Sequence, residues 1–166
     1  MATVYLSVGS NLGDRMANLR KGQELLVAHP QINLIKASAF YQTSPVGGVV
    51  QDDFINQALA IETDLDPYDL LEYLHEIEAK LLRKRLVVWG PRTLDLDILY
   101  FDHLESEDPK LTIPHPEIMN RLFVLIPLKE IIDSNFFAYE QIQQAIERLE
   151  DSQDQRIERV DENERN

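Results

Sequence analysis

The segment from Thr93 to Phe101, TLDLDILYF, constrains the fold of this chain more than any other. Apolar residues alternate with Asp95 and Asp97, and this alternation predicts a β-strand. Because successive side chains of a strand point to opposite faces, the two carboxylates share one face and the leucines lie on the other. Two neighbouring carboxylates on a half-buried surface need compensating positive charge. The chain therefore needs a sheet with one face on a core and one face available to a cationic group.

Three further strands and two helices are predicted upstream of this segment. The strands cover residues 3–8, 32–43 and 54–64, and the helices begin after Asp14 and Asp66, which are suitable N-cap residues. The order β-α-β-β-α-β predicts an α+β protein with the ferredoxin-like arrangement. In that arrangement a mainly antiparallel sheet carries its helices on one face and leaves the other face open as an active-site face.

The part of the chain beyond Phe101 is predicted to be helical and irregular. LTIPHP at 111–116 contains too much proline for a central strand. Short helices are expected over 117–122 and 124–132, separated near Pro127, and an amphipathic helix is expected over 139–149. Residues 151–166 are acidic with few apolar residues, which is typical of a solvated helix extension or of a flexible tail. We therefore expect a single domain over residues 1–150, followed by this tail.

Composition narrows the class of protein. The 166 residues suffice for one domain with a core, and a formal charge of −13 argues against a nucleic-acid partner. No apolar run reaches the ~18 residues of a membrane span, and the N-terminus lacks the features of a signal peptide. We expect a cytoplasmic monomer that does not contact membranes. Cysteine is absent, so any metal must be held by oxygen or imidazole ligands.

A basic cluster precedes the aspartate strand. Arg83, Lys84, Arg85 and Arg92 lie upstream of Asp95, and two interpretations are open. The arginines either neutralise the aspartates on an exposed sheet face, or they bind phosphates while the carboxylates hold Mg²⁺. The second interpretation predicts Mg²⁺-dependent phosphoryl or nucleotidyl transfer. The chain has no G-x-x-x-x-G-K-[ST] loop, which excludes a P-loop enzyme.

Five stretches together resemble the 6-hydroxymethyl-7,8-dihydropterin pyrophosphokinase family. They are VGSNLGD at 8–14, FYQTSPVG at 40–47, DFINQALAIET at 53–63, WGPRTLDLDILYF at 89–101 and LTIPHPEIMNRLFVLIPL at 111–128. They stand in the family's order and spacing. The resemblance implies a catalytic domain that transfers pyrophosphate from ATP to the hydroxymethyl group of the reduced pterin and releases AMP, a step of folate biosynthesis.

The resemblance also assigns the metal and nucleotide positions. Asp95 and Asp97 would hold two Mg²⁺ ions that bridge the ATP phosphates and the pterin hydroxyl. Arg92 and one member of the basic cluster, Arg85 or alternatively Arg83, would contact phosphates and stabilise developing charge. The other nucleotide-side positions are His75, Glu78, Trp89, Ile98, Lys110, Thr112, His115 and Arg121. Lys110 stands where arginine is common in the family, which keeps the charge but loses the bidentate fork.

The pterin-side positions follow from the same resemblance. They are Thr43, Ser44, Val46, Phe54, Asn56, Trp89, Asp95 and Phe123. Phe123 would stack on the pterin ring, and the Asn56 amide can both donate and accept, as the amide edge of a pterin requires. Trp89 would lie on a flexible loop that closes over the site. Ser44 replaces a proline that is usual in the family.

Two other functions are compatible with the pattern. Another two-aspartate enzyme on a related sheet, such as a nucleotidyltransferase or cyclase, would release pyrophosphate instead of AMP. A non-catalytic ferredoxin-like binding module would not need the aspartate pair.

The run from Gly9 to Gly13 leads from a strand into a helix, but it lacks the glycine spacing of dinucleotide sites and predicts a tight turn.

Overall fold

The computed structural model describes residues 1–43, 53–81, 93–152 and 155–160. Within these ranges there are eight strands: β1 (Ala2–Ser10), β2 (Ile32–Ala37), β3 (Phe40–Thr43), β4 (Phe54–Thr63), β5 (Asp95–Phe101), β6 (Ser106–Asp108), β7 (Leu111–Ile113) and β8 (Ile157–Val160). The helices are α1 (Arg15–Val27), α2 (Pro67–Lys80), α3 (Leu122–Ile131) and α4 (Tyr139–Ser152), with a 3₁₀ turn at Ile118–Asn120. None of the helices in these ranges has the length and apolar character that a membrane span requires.

Six strands form one sheet in which every pairing is antiparallel. The strand β1 lies between β5 and β4, and both β2 and β3 pair with the other side of β4. The strand β8 pairs with β3, while β6 and β7 form a separate two-stranded ribbon. The prediction of an α+β protein with a mainly antiparallel sheet is confirmed.

The strand predicted over residues 32–43 is instead two strands, because side chains take over the hydrogen bonds at the break. The Ser38 hydroxyl accepts from the Ala58 amide at 2.9 Å, and the Gln57 side chain donates to the Ser38 carbonyl at 2.9 Å. The Ala39 amide donates to a carboxylate oxygen of Glu130, on α3, at 2.8 Å. The chain therefore leaves the strand geometry here and resumes it at Phe40.

The helices α1 and α2 begin where the sequence predicts. The Asp14 side chain accepts from the Ala17 amide at 3.2 Å. The Asp66 side chain accepts from the amides of Tyr68 and Asp69 at 2.9 and 3.0 Å. Both helices cover the sheet face that carries Val4, Leu6, Val8, Leu94, Leu96 and Ile98, and their own buried residues include Met16, Leu19, Leu26, Leu70, Leu74 and Ile77.

The opposite sheet face is not wholly open, and the prediction that helices pack on one face only is wrong. The helices α3 and α4 pack there on Ala58, Ala60, Leu99 and Tyr100. The small side chains of Ala58 and Ala60 on β4 leave room for helices to approach the sheet closely. In the sequence these alanines indicate a helix-covered face, which the prediction did not include. The half-buried Asp95 and Asp97 lie further along the same face.

The helix α3 runs continuously from Leu122 through Pro127, so the predicted break near this proline is wrong. Proline removes one helical hydrogen bond, but burial of the surrounding apolar residues offsets that loss. The C-terminal segment, predicted to be a helix extension or a flexible tail, contains the end of a helix and a strand that the sequence did not predict. The helix α4 extends to Ser152, and Ile157–Val160 form β8, in which Val160 is buried.

Leu125→Ala tests whether α3 and α4 form a genuine second core. Leu125 has no exposed surface, and we expect the substitution to lower the free energy of unfolding by about 3 kcal/mol through lost burial and a residual cavity. Urea unfolding monitored by circular dichroism measures the change. Leu104→Ala, at a side chain that is 40% exposed, is the control and should change stability far less. Equal losses in the two variants would contradict the assignment.

Candidate active site

The aspartate pair is placed by the register between β5 and β1. Asp95 lies opposite Gly9, and Asp97 lies opposite Ser7 two residues earlier on β1. Both carboxylates therefore project from the same sheet face, as predicted, and both are half-buried. Leu96, between them, points into the core on the other face.

Glu78 lies beside this pair as a buried carboxylate on α2. Its side chain is 3% exposed, and its Oε2 atom accepts from the Leu96 backbone amide at 2.8 Å. In the described sheet β5 is the last strand, so this amide faces away from β1. Glu78 therefore supplies the acceptor that a neighbouring strand would otherwise provide, and it fixes the backbone between the two aspartates.

A cleft of about 280 Å³ lies along β5, between α2 and the β6–β7 ribbon. It brings Asp97, which the resemblance assigns to the metal, together with five positions that the resemblance assigns to the nucleotide: His75, Ile98, Lys110, Thr112 and His115. Its remaining walls are Leu71, Leu96, Pro109, Leu111 and Pro116. A concave slot that combines apolar walls with convergent polar groups is typical of a small-molecule site.

Asp108 organises the ribbon wall of this cleft, a role not predicted from the sequence. The Tyr68 hydroxyl donates to its Oδ2 atom at 2.5 Å, and the Lys110 amide donates to Oδ1 at 3.0 Å. The Thr112 hydroxyl donates to the Asp108 carbonyl at 3.1 Å. The hydrogen bond from Tyr68 is the main reason why the pKa of Asp108 is lowered. The turn that presents Lys110 and Thr112 is thus fixed from both sides.

His115 is a neutral hydrogen-bond donor at neutral pH. Burial lowers its pKa from the usual 6.5, the positive charge of Arg121 lowers it further, and Glu117 and Asp95 oppose the shift. Its Nδ1 atom accepts from the Glu117 amide at 3.1 Å. The single proton of a neutral imidazole must then be on Nε2, which is free to donate to an anionic oxygen.

The predicted pterin-side residues on β3 and β4 surround Gly9. Asn56 pairs with Gly9 across the sheet, and its Nδ2 atom donates to the Thr43 hydroxyl at 2.7 Å. A Cβ atom on Gly9 would lie 2.6 Å from Asn56 Oδ1 and 3.5 Å from the Phe54 ring. Only glycine leaves room for the Asn56 amide here. Sequence reasoning treated Gly9 as part of a turn and missed this role, although it lies in the VGSN stretch.

Arg121 and Phe123 meet at the start of α3. The guanidinium carbon of Arg121 lies 5.5 Å from the centre of the Phe123 ring, which is within the range of a cation–π interaction. Both side chains are half-buried, and Phe123 packs against the α3–α4 core.

Six of the predicted site positions lie outside the described residues. These positions are Ser44, Val46, Arg83, Arg85, Trp89 and Arg92. Within the described ranges, no group of three or more His, Asp or Glu side chains is arranged to hold a metal ion. The Asp95–Asp97 pair nevertheless fits Mg²⁺, because that ion is commonly held by one or two carboxylates together with the oxygens of substrate phosphates.

A carboxylate pair beside a cleft with cationic and imidazole donors is typical of proteins that bind phosphorylated small molecules. The chain belongs to the 7,8-dihydro-6-hydroxymethylpterin-pyrophosphokinase (HPPK) family, whose model matches residues 5–133. The resemblance seen in the sequence is thereby confirmed.

Named relatives agree with this family. The 2-amino-4-hydroxy-6-hydroxymethyldihydropteridine pyrophosphokinase of Bacillus subtilis is 48% identical over 127 residues, which is 76% of each chain. The protein of the same name from Methylorubrum extorquens is 41% identical over 158 residues, 95% of this chain and 100% of the relative. The bifunctional protein FolKE of Lactococcus lactis subsp. cremoris is 48% identical over 92% of this chain but only 44% of its own length. The chain thus spans less than half the length of that relative.

Solved structures support the fold. A crystal structure of HPPK-DHPS in complex with substrates superposes with a TM-score of 0.68 at 14% identity, covering 92% of this chain and 46% of the other. Wild-type Plasmodium falciparum HPPK-DHPS with SDX-DHP gives a TM-score of 0.66 at 14% identity over 89% of this chain and 44% of the other.

The titration of His115 checks the described electrostatics. We expect nuclear magnetic resonance to give a pKa below 6.5, and Arg121→Met to raise that value without restoring it, because burial remains the larger cause. Since the unfolded chain binds the proton more tightly, this residue makes stability fall as pH drops from 6.5 to the lowered pKa.

His115→Gln assigns the resonance, and Lys129→Met, near the far end of α3, is the charge control. A pKa at or above 6.5, or one that falls when Arg121 loses its charge, would contradict this description.

Proposed function

We propose that this chain transfers pyrophosphate from ATP to the 6-hydroxymethyl group of 6-hydroxymethyl-7,8-dihydropterin and releases AMP. The observation that carries the proposal is the shared cleft, where five positions assigned to the nucleotide lie together with Asp97 of the carboxylate pair. The residues assigned to the pterin lie next to the pair on the same sheet face, around Gly9.

The nucleotide side supplies donors for an anionic triphosphate. The Lys110 ammonium, the Nε2–H of His115 and the Arg121 guanidinium would bind phosphate oxygens. Thr112 and the backbone at Ile98 would lie near the ribose and adenine. These contacts orient the nucleotide so that its β-phosphorus faces the sheet, and positioning of this kind supplies much of the catalysis in phosphoryl transfer.

The carboxylate pair would hold the metal. Two Mg²⁺ ions on Asp95 and Asp97 would neutralise charge on the phosphates and favour loss of the hydroxyl proton. Glu78 keeps the backbone between the two carboxylates in place through the Leu96 amide. The hydroxymethyl oxygen then forms a bond to the β-phosphorus, the bond from that phosphorus to the bridging α–β oxygen breaks, AMP leaves with that oxygen, and the hydroxyl proton passes to solvent water.

The pterin side would bind a flat ring with an amide edge. The Asn56 amide is held by the Thr43 hydroxyl and presents its remaining hydrogen-bonding capacity to a ligand. Phe123 and Phe54 would contact the ring faces. We also propose that Arg92, Trp89 and either Arg85 or Arg83 complete the site.

The sheet order is β5-β1-β4, followed by β2 and β3. We propose that this order is a ferredoxin-like arrangement extended by β8. The monomeric state and the cytoplasmic location stay predictions.

The product that is released from ATP distinguishes the proposed function from the two alternative functions. Incubation with ATP, Mg²⁺ and 6-hydroxymethyl-7,8-dihydropterin should yield AMP and the pterin diphosphate in equal amounts, resolved by anion-exchange chromatography. Release of pyrophosphate would favour a nucleotidyltransferase or cyclase, and ligand binding without turnover would favour a binding module.

Asp97→Asn tests the carboxylate pair. We expect kcat to fall by at least about a hundredfold, because the variant loses one of two metal-binding charges while keeping its shape. The melting temperature should stay close to that of the wild type, since Asp97 is half-buried and outside the apolar core. Asp133→Asn, on an exposed residue, is the matched control. A variant at position 97 that keeps a tenth of the wild-type rate would contradict the assignment.

Gly9→Ala tests the pterin side separately. The added methyl would clash with Asn56 Oδ1, and displacement of this amide should raise the KM for the pterin by about tenfold or more. The KM for ATP, measured in the same steady-state experiment, is the internal control and should change little. Parallel increases in both constants would indicate a general disturbance of the sheet instead.

A further inference from the structure

The side chain of Gln155 bridges the backbone on both sides of Arg121. Its Oε1 atom accepts from the Leu122 amide at 2.8 Å, and its Nε2 atom donates to the Asn120 carbonyl at 2.9 Å. One side-chain amide therefore satisfies a donor and an acceptor that flank Arg121 in the chain. Residue 155 belongs to the segment for which the sequence predicted only an acidic tail.

The start of α3 needs this bridge because Arg121 cannot cap the helix. The first amides of a helix have no partner within it, and a short polar N-cap side chain usually accepts from one of them. Arg121 occupies the N-cap position with an extended backbone, φ −131° and ψ 108°, and its side chain makes no capping bond. Gln155 supplies the missing acceptor from a distant part of the chain.

The position of Arg121 matters to both halves of the proposed site. Its guanidinium carbon lies 5.5 Å from the centre of the Phe123 ring, on the pterin side. Its charge also acts on His115, which lines the nucleotide cleft. A shift of the backbone at Arg121 would therefore disturb the contacts of a triphosphate and of a pterin together.

Gln155 is itself held by the sheet. Two residues later the chain enters β8, where Ile157 pairs with Thr43 of β3. The Thr43 hydroxyl in turn accepts from Asn56. A side chain close in sequence to a strand of the main sheet is held more accurately than one on a free terminus.

We propose that Gln155 is a positioning residue that fixes Arg121 between the nucleotide cleft and the pterin side. The inference rests on the proposed function, because the role of Arg121 in binding the triphosphate comes from it. Gln155 does not contact the substrates in this scheme and acts through Arg121.

Gln155→Met removes both hydrogen bonds and keeps the length of the side chain. We expect the Kd of a non-hydrolysable ATP analogue with Mg²⁺, measured by calorimetry, to rise about threefold to tenfold. The KM for ATP should rise by a similar factor, with kcat changed by less than about twofold. Gln155→Ala is the second variant if the methionine side chain disturbs packing, and both are assayed below their measured melting temperatures.

A double-mutant cycle shows whether the effect passes through Arg121. In an Arg121→Met background, Gln155→Met should cause no further loss of analogue binding, because the group that it positions is absent. Gln144→Met, at an exposed position on α4, is the control and should leave binding unchanged in both backgrounds.

Two results would overturn the inference while leaving the proposed function intact. One is unchanged analogue binding by both Gln155 variants, and the other is an equal additional loss in the Arg121→Met background. A wild-type protein that neither binds the analogue nor forms AMP would overturn the proposed function, and this inference with it.

Discussion

The pairing of β1 with β5 on one side and β4 on the other is the constraint on which the site depends. It places Asp95, Gly9 and Asn56 in one row across the sheet, and Asp97, Ser7 and Ala58 in the next row. Because side chains alternate along a strand, a slip of one residue in either pairing would turn the carboxylates or the amide into the core. The burial of Val4, Leu6 and Val8 on the other face opposes such a slip. The apolar core thus fixes the position of the polar site.

The α3–α4 layer covers one part of the second sheet face and leaves the part with the polar residues uncovered. Ala58 and Ala60 accept the helices α3 and α4, and the polar residues begin two positions along β4, at Asn56. A bulge in β5 opposite Tyr5 and Leu6 places both Leu99 and Tyr100 against the helical layer, while Asp95 and Asp97 lie beyond it. The carboxylates therefore stay half-buried next to a rigid core, a setting that limits their motion without removing them from a ligand.

The sequence could predict features that depend on local pattern. The N-caps at Asp14 and Asp66 and the shared face of Asp95 and Asp97 follow from periods and capping preferences that neighbouring residues determine. The features that were missed depend on contacts between distant segments. The break at Ser38 needs the Gln57 side chain and Glu130, β8 needs the edge of β3, and the wall of the cleft needs the bond from Tyr68 to Asp108. The role of Gly9 could be predicted only in part. The sequence places it at the end of the first strand, but its cross-strand neighbour Asn56 lies 47 residues away in the chain.

The net charge of −13 raises the question of how such a chain would attract a triphosphate. At physiological ionic strength the Debye length is about 8 Å, so exposed acidic residues farther away than this act weakly on a ligand in the cleft. The charges within the cleft then decide its affinity, and there Lys110 and the neighbouring Arg121 oppose Asp97. Without cations the aspartate pair would repel a phosphate chain, whereas with divalent ions bound the same pair attracts it. In the proposed function the acidic pair would therefore make nucleotide affinity depend on bound metal, and the cations along the cleft would add to that affinity and orient the phosphates.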